Sequence, residues 1–178
     1  MRFSLNFNKM GDRVSKRIPA IVLSVVFSVV LFLTASLVIV MPAFANDYNK
    51  ETLVGVDFSG RDLTDSSFTK AVLRNSNLSN TKLAGVSLFG ATLERVNLEG
   101  ADLRGATLDT ARFFKANLTN AVLEGAFAFN AKFDGSTIDG ADFTDVLLRQ
   151  DMQKALCKIA TGTNPVTGRE TKETLYCD

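Results

Sequence analysis

A large apolar residue returns at every fifth position from Phe58 to Leu148, in unbroken register. Of the nineteen positions in this column, twelve are Leu, five Phe and one Ile, and only Ala128 departs. Two residues ahead of each centre stands Ala in ten cases, Ser or Thr in four and Val in four, with Arg61 the exception. A period of five matches neither the 3.6 of an α-helix nor the 2 of a strand. Wound into a helix, these residues would step round the axis and leave no single apolar face. The pattern fits a chain that turns a corner every five residues, sending one large side chain inward with a small one beside it. Four such sides close a coil of about 20 residues, and stacked coils pair their backbones as parallel strands about 4.8 Å apart. Nineteen repeats make 4.75 coils, a rod roughly 23 Å long. Burying one such side chain contributes about 1.5–3 kcal/mol, so the column is core and none of it is a site.

The repeat unit is repeatedly Ala, then Asp or Asn, then Leu or Phe, as in Ala101-Asp102-Leu103-Arg104-Gly105, Ala116-Asn117-Leu118 and Ala141-Asp142-Phe143-Thr144-Asp145. On these runs residues 56–150 resemble the pentapeptide-repeat family, whose motif is A-(D/N)-L-x-x. The resemblance implies an all-β solenoid, a right-handed quadrilateral β-helix. Arg61 departs from the motif, and a guanidinium at a crowded inward position needs a partner. An irregular first coil is therefore expected there.

Ahead of the repeats, Arg2, Lys9, Arg13, Lys16 and Arg17 stand against one acid, Asp12, and no charged residue follows from Ile18 to Ala45. A basic start, a run rich in Val, Leu, Ile and Phe, and Ala43-Phe44-Ala45 before Asn46 are the three parts of a secretory signal peptide. Residues 1–45 read as an export leader cleaved between Ala45 and Asn46. The apolar run is also long enough to span a bilayer as a retained anchor, which would be the chain's only membrane attachment. Lys16-Arg17 is a weak twin-arginine signal. Either way, everything after Asn46 crosses a membrane. The leader removes five bases and one acid from the chain's 20 and 19, leaving 15 and 18, a net charge of −3 for the exported domain.

An open solenoid exposes unpaired backbone at both ends and needs caps. Residues 46–55 are expected to form a short N-terminal cap. Beyond the repeats, Leu148, Met152, Ala155, Leu156 and Ile159 recur at helical spacing, predicting a helix over about 147–160 that ends at Thr161-Gly162. This helix and the tail, 147–178, form the C-terminal cap. Cys157 and Cys177 in an exported domain read as a disulfide, worth roughly 3 kcal/mol by chain entropy, or as a redox-active pair. Asn164-Pro165 and Thr167-Gly168 are turn signals. Leu156-Cys157-Lys158-Ile159-Ala160, Gly162 to Gly168 and Leu175-Tyr176-Cys177 resemble the C-terminus of thylakoid-lumen pentapeptide-repeat proteins of plants and cyanobacteria. That resemblance implies the thylakoid lumen, or the periplasm of a cyanobacterium.

The chain has no His, which removes every Ser-His, Cys-His and His-metal arrangement. It has no C-x-x-C pair either. No catalytic residue, cofactor or metal is expected, and a net charge of −3 argues against nucleic acid as partner. Asp62, Asp102 and Asp142 share one line but stand about 10 Å apart, too far for a single ion. The candidate interaction surface is aromatic. Residues 20 apart stack on one side, so Phe89, Asp109 and Phe129 fall in one line and Phe127 and Leu147 in the next, all nominally outward around Ala128. Phe114 is outward on an adjacent side. These residues mark a protein-partner surface, unless the C-terminal tail covers them or Phe127 or Phe129 turns inward to fill the gap at Ala128. The leading functional reading is a non-enzymatic binding or scaffold module. The alternatives are DNA mimicry, as in pentapeptide-repeat proteins that inhibit gyrase, and a thiol redox role.

Overall fold

The computed structural model describes residues 46–177. The expected leader, with Ala43 and Ala45 of its cleavage site, lies outside them, and Asn46 is the first described residue. Among the described residues no helix is long and apolar enough to cross a membrane.

From Asp47 to Leu147 each coil pairs with the next, through seventeen parallel bridges from Asp47↔Ser67 to Phe127↔Leu147. Each side contributes one residue to this ladder, held by bonds such as Leu73 N–H to the Thr92 carbonyl and Thr92 N–H to the Ala71 carbonyl, both 2.8 Å. The corner is a four-residue turn, closed for example by Ser76 N–H on the Leu73 carbonyl at 3.1 Å. Its third residue has positive φ, 56° at Asn75 and 67° at Gly60. That geometry is a type II turn and explains the Gly and Asn at this place in the repeat. The coil is therefore four-sided. Sides I, II, III and IV start at residues 46, 51, 56 and 61 and recur once in every coil along the ladder.

Two expectations for the N-terminal end need correction. Residues 46–55 are not a separate cap but the first two sides of the coil, since the ladder already includes Asp47↔Ser67 and Thr52↔Val72. Asn46 and Glu51 occupy the usual small position and Tyr48 a centre, which hid the register. The Tyr48 ring stacks on Phe68 at 4.8 Å and meets Phe58 edge-on at 5.5 Å. Nor is the first coil irregular at Arg61, whose N–H donates to Phe58 at 3.1 Å and whose carbonyl accepts from Lys82 at 3.0 Å. Its side chain is exposed, and the guanidinium lies over the Phe58 ring at 5.6 Å. The cation–π contact replaces burial of the charge.

Leucines fill the middle of the rod and are fully buried from Leu73 to Leu108. Aromatic rings take over toward the C-terminal end, where Phe113 stacks on Phe133 at 4.8 Å and Phe133 meets Phe143 edge-on at 6.1 Å. This accounts for Ala128. Its coil carries Phe133 and Phe143 on opposite sides, II and IV, and their rings leave room for only a small side chain on side I between them. Ala128 is fully buried while Phe127 and Phe129 are not, so neither phenylalanine turns inward.

Helix α1 spans Gln150–Cys157, shorter than the expected 147–160. Leu147 still belongs to the ladder, donating to Ala126 at 3.0 Å and accepting from Ala128 at 3.1 Å. Beyond Cys157 the chain tightens, with Ile159 N–H on the Leu156 carbonyl at 3.0 Å. Leu156, Ala160 and Leu175 pack on the last coil and are buried, whereas Ile159 is exposed. Helix α2 is a single turn, Thr171–Thr174. A disulfide joins Cys157 to Cys177, with Cα atoms 5.5 Å apart.

Candidate functional site

Side I changes character along the rod. Its N-terminal half is a polar chain in which the Asn49 side-chain oxygen accepts from the Ser67 hydroxyl (2.7 Å) and the Thr69 N–H (2.7 Å). The Thr69 and Ser87 hydroxyls then meet at 2.8 Å. Its C-terminal half is apolar and open: Phe127 is 55% exposed, Phe129 49% and Leu147 53%. Phe127 and Leu147 are ladder partners, so their side chains stand one coil spacing apart, about 4.8 Å. Phe129 lies on the same side of the same coil, across the inward Ala128. Phe89, 37% exposed, is not part of this patch. Asp109 lies between it and Phe129, and its carboxylate accepts the Asn130 N–H at 2.8 Å. The outward acids of side IV are engaged in ion pairs, Asp62 with Lys82 at 3.1 Å and Asp102 with Arg104 at 2.9 Å.

The tail leaves side I uncovered because it docks elsewhere. It caps the last coil and the edge between sides III and IV. Gly140 N–H donates to the Thr161 carbonyl at 2.8 Å, and Phe143 N–H to the Thr174 hydroxyl at 3.0 Å. Both are ladder donors with no further coil to meet. Gly162, at φ +77°, approaches so closely that a Cβ there would lie 2.8 Å from the Gly140 nitrogen. Asn164 is the buried centre of the contact. Its amide donates to the carbonyls of Asn120 (3.1 Å), Ala121 (3.3 Å) and Gly140 (2.8 Å). Its oxygen accepts from Val166 (2.9 Å) and Thr167 (3.0 Å). The sequence marks Asn164 only as a turn residue; an Asn-Pro pair carries no signal of what the amide reaches so far back along the chain.

Arg169 completes the docking, 3.1 Å from Asp142 and 3.3 Å from Glu124. Burial pushes the Asp142 carboxyl up, but the Thr144 hydroxyl (2.6 Å) and N–H (2.9 Å), together with Arg169, outweigh burial and hold it below its ordinary 3.8. A carboxylate whose folded value is lowered stabilises the fold above its unfolded value and loses that contribution as pH falls through the folded one. Docking of the tail is therefore expected to weaken below about pH 3.8. Amide NMR signals of Gly140 and Phe143 should shift first, with Leu98 and Leu103 unmoved. Simultaneous titration of all four would show that this pair does not hold the tail.

The sequence pattern of pentapeptide repeats matches residues 53–88, 81–118 and 111–150. The chain belongs to the pentapeptide repeat family. Among solved structures, a pentapeptide repeat protein from the Arabidopsis thaliana thylakoid lumen superposes with a TM-score of 0.70 at 49% identity, covering 71% of this chain and 88% of that one. The thylakoid lumenal 15 kDa protein 1 of Arabidopsis thaliana is 56% identical over 39 residues, and the thylakoid lumenal protein TL20.3 of the same plant 53% identical over 38. Those matches take in 22% and 21% of this chain, and the chain spans only 17% and 14% of the two relatives' lengths.

Proposed function

We propose that this pentapeptide repeat protein is a non-enzymatic binding or scaffold module of the thylakoid lumen, whose rigid rod presents Phe127, Phe129 and Leu147 to a protein partner. The rod is of the family's right-handed form, and α1 with the disulfide-tied tail closes its C-terminal end. The observation that carries the reading is the apolar half of side I, three large side chains about half exposed beside one another, while the tail that would cover them is engaged on sides III and IV. Exposed apolar groups clustered on a rigid scaffold mark interaction surfaces. The compartment rests on the basic and apolar leader and on relatives named for the thylakoid lumen. Export to a cyanobacterial periplasm, or tethering by an uncleaved leader, would present the same surface on the far side of a membrane. DNA mimicry needs a continuous negative surface, and from Arg74 to Asp134 side II carries five bases against two acids.

The test is a comparison of the exported protein with its Phe127→Ser/Phe129→Ser variant. The double substitution should leave thermal stability within a few degrees, since both rings are about half exposed and neither belongs to the buried core. It should abolish capture of a stoichiometric partner from a lumen extract. An unchanged captured set would remove the assignment of this patch.

A further inference from the structure

We infer that side II binds a carboxylate of an acidic polypeptide segment, in the shallow cavity between Arg112 and Lys132 with Phe114 as its apolar wall. The cavity has a volume of about 350 Å³, at the small end of ligand clefts. Arg112 and Lys132 are ladder partners, so two cations stand one above the other, an arrangement that destabilises a sheet. The other ladder columns avoid this: side IV alternates Asp62, Lys82 and Asp102, and side III stacks the neutral Asn77, Asn97 and Asn117. Ion pairs among the described residues do not relieve the repulsion. Glu94 is engaged by Arg74 at 3.3 Å and Arg95 at 3.7 Å, and among the described residues neither Arg112 nor Lys132 makes an ion pair. Arg112 is nonetheless held in place by a bond to the Thr92 hydroxyl at 3.0 Å. A fixed guanidinium and an ammonium without an anion are the two halves of a carboxylate clamp.

The surroundings select the ligand class. Phe114 is 41% exposed at the cavity wall, which suits a carboxylate carried next to an apolar side chain. Glu94 and Asp134 also line the cavity, so it admits a single carboxylate but not the continuous negative charge of a nucleic-acid backbone or an anionic lipid surface. Against a peptide, they accept backbone N–H groups instead. The inference is separate from the reading of side I and involves none of its residues.

A fluorescein-labelled, C-terminally amidated peptide Gly-Asp-Leu-Asp-Phe-Gly, titrated with the exported protein at low salt, tests it by anisotropy. Binding should weaken roughly tenfold or more in Arg112→Gln and in Lys132→Gln and vanish for the peptide with Asn in place of Asp. Phe127→Ser/Phe129→Ser should bind the peptide as wild type does, which separates this site from the side I patch. Lys132→Gln should also raise the Tm at low salt, because it removes the repulsion; a lowered Tm would mean the ammonium is satisfied within the fold and would overturn the inference. Equal binding of the Asn peptide, or undiminished binding by both variants, overturns it as well. So does displacement of the peptide by inorganic phosphate or anionic vesicles in preference to acetate at equal ionic strength.

Discussion

Leu103→Ala is expected to lower the stability of the rod by about 2–5 kcal/mol, the range found when three buried carbons are deleted and the cavity stays open. Leu103 is fully buried at mid-rod, between the equivalent Leu83 and Leu123 of the adjacent coils. The site cannot collapse to fill the gap because the backbone around it is held on both sides. Its own N–H donates to Val122 at 2.7 Å and its carbonyl closes the next corner through Ala106 at 3.0 Å. Leu53→Ala provides the contrast. Leu53 is a centre residue of the first coil and only half-buried, so its truncation should cost clearly less. Urea denaturation with the disulfide intact measures both. Equal losses at the two positions would contradict a core built from nearest-neighbour coils.

The contrast between Leu103 and Leu53 also shows why some of this architecture was legible in sequence and some was not. A period of five repeated nineteen times admits one geometry, because the inward direction recurs only if the chain turns a corner at each repeat. The same regularity predicts which residues share a side, so Phe89, Phe127, Phe129 and Leu147 fall together there, but the spacing does not decide whether Phe127 or Phe129 turns inward, nor that Phe89 stands apart. Regularity fails at the ends. Tyr48 does the work of a core leucine, and Asn46 and Glu51 sit where Ala is usual, since the end coil is packed from one side only. Arg61 is tolerated for the same reason. Ala128 was visible as a gap but not explicable, because the volume it yields goes to Phe133 and Phe143, whose rings approach only in the closed coil. The like-charged pair on side II follows from the same twenty-residue spacing, but that neither Arg112 nor Lys132 meets an acid in an ion pair depends on where Glu94 is drawn, which the spacing does not carry. The tail was least legible, since its decisive bonds run from one side chain to carbonyls of the last two coils, far from it along the chain.

The tail's dependence on a single amide leads to the second large effect. Asn164→Asp preserves shape and reverses chemistry. The asparagine offers donors to three carbonyls and an acceptor to two N–H groups, and it is fully buried. No other side chain of its size combines both. The aspartate keeps the acceptor but turns an ionised oxygen toward the carbonyls of Asn120, Ala121 and Gly140. An uncompensated buried charge costs on the order of 3–5 kcal/mol. Asn164→Ala leaves these groups unpaired at about 1–3 kcal/mol for each that stays unsatisfied, so both changes should loosen the tail, and only the aspartate makes the loss depend on pH. With Cys177 still tied to Cys157, the tail cannot leave; instead its docking between Thr161 and Leu175 should loosen. At neutral pH, hydrogen exchange should then show lost protection at Gly140 and Phe143 while mid-rod amides such as Leu98 stay protected. Burial against carbonyls raises the folded pKa of the new carboxyl, so its penalty is smallest below the unfolded value, about 3.9, and grows as pH rises from there toward the folded one. The variant's tail should therefore tighten on acidification, opposite to the loosening expected of the wild type through Asp142 and Arg169. Full protection of the Asn164→Asp tail at neutral pH would show that this amide is not what holds it.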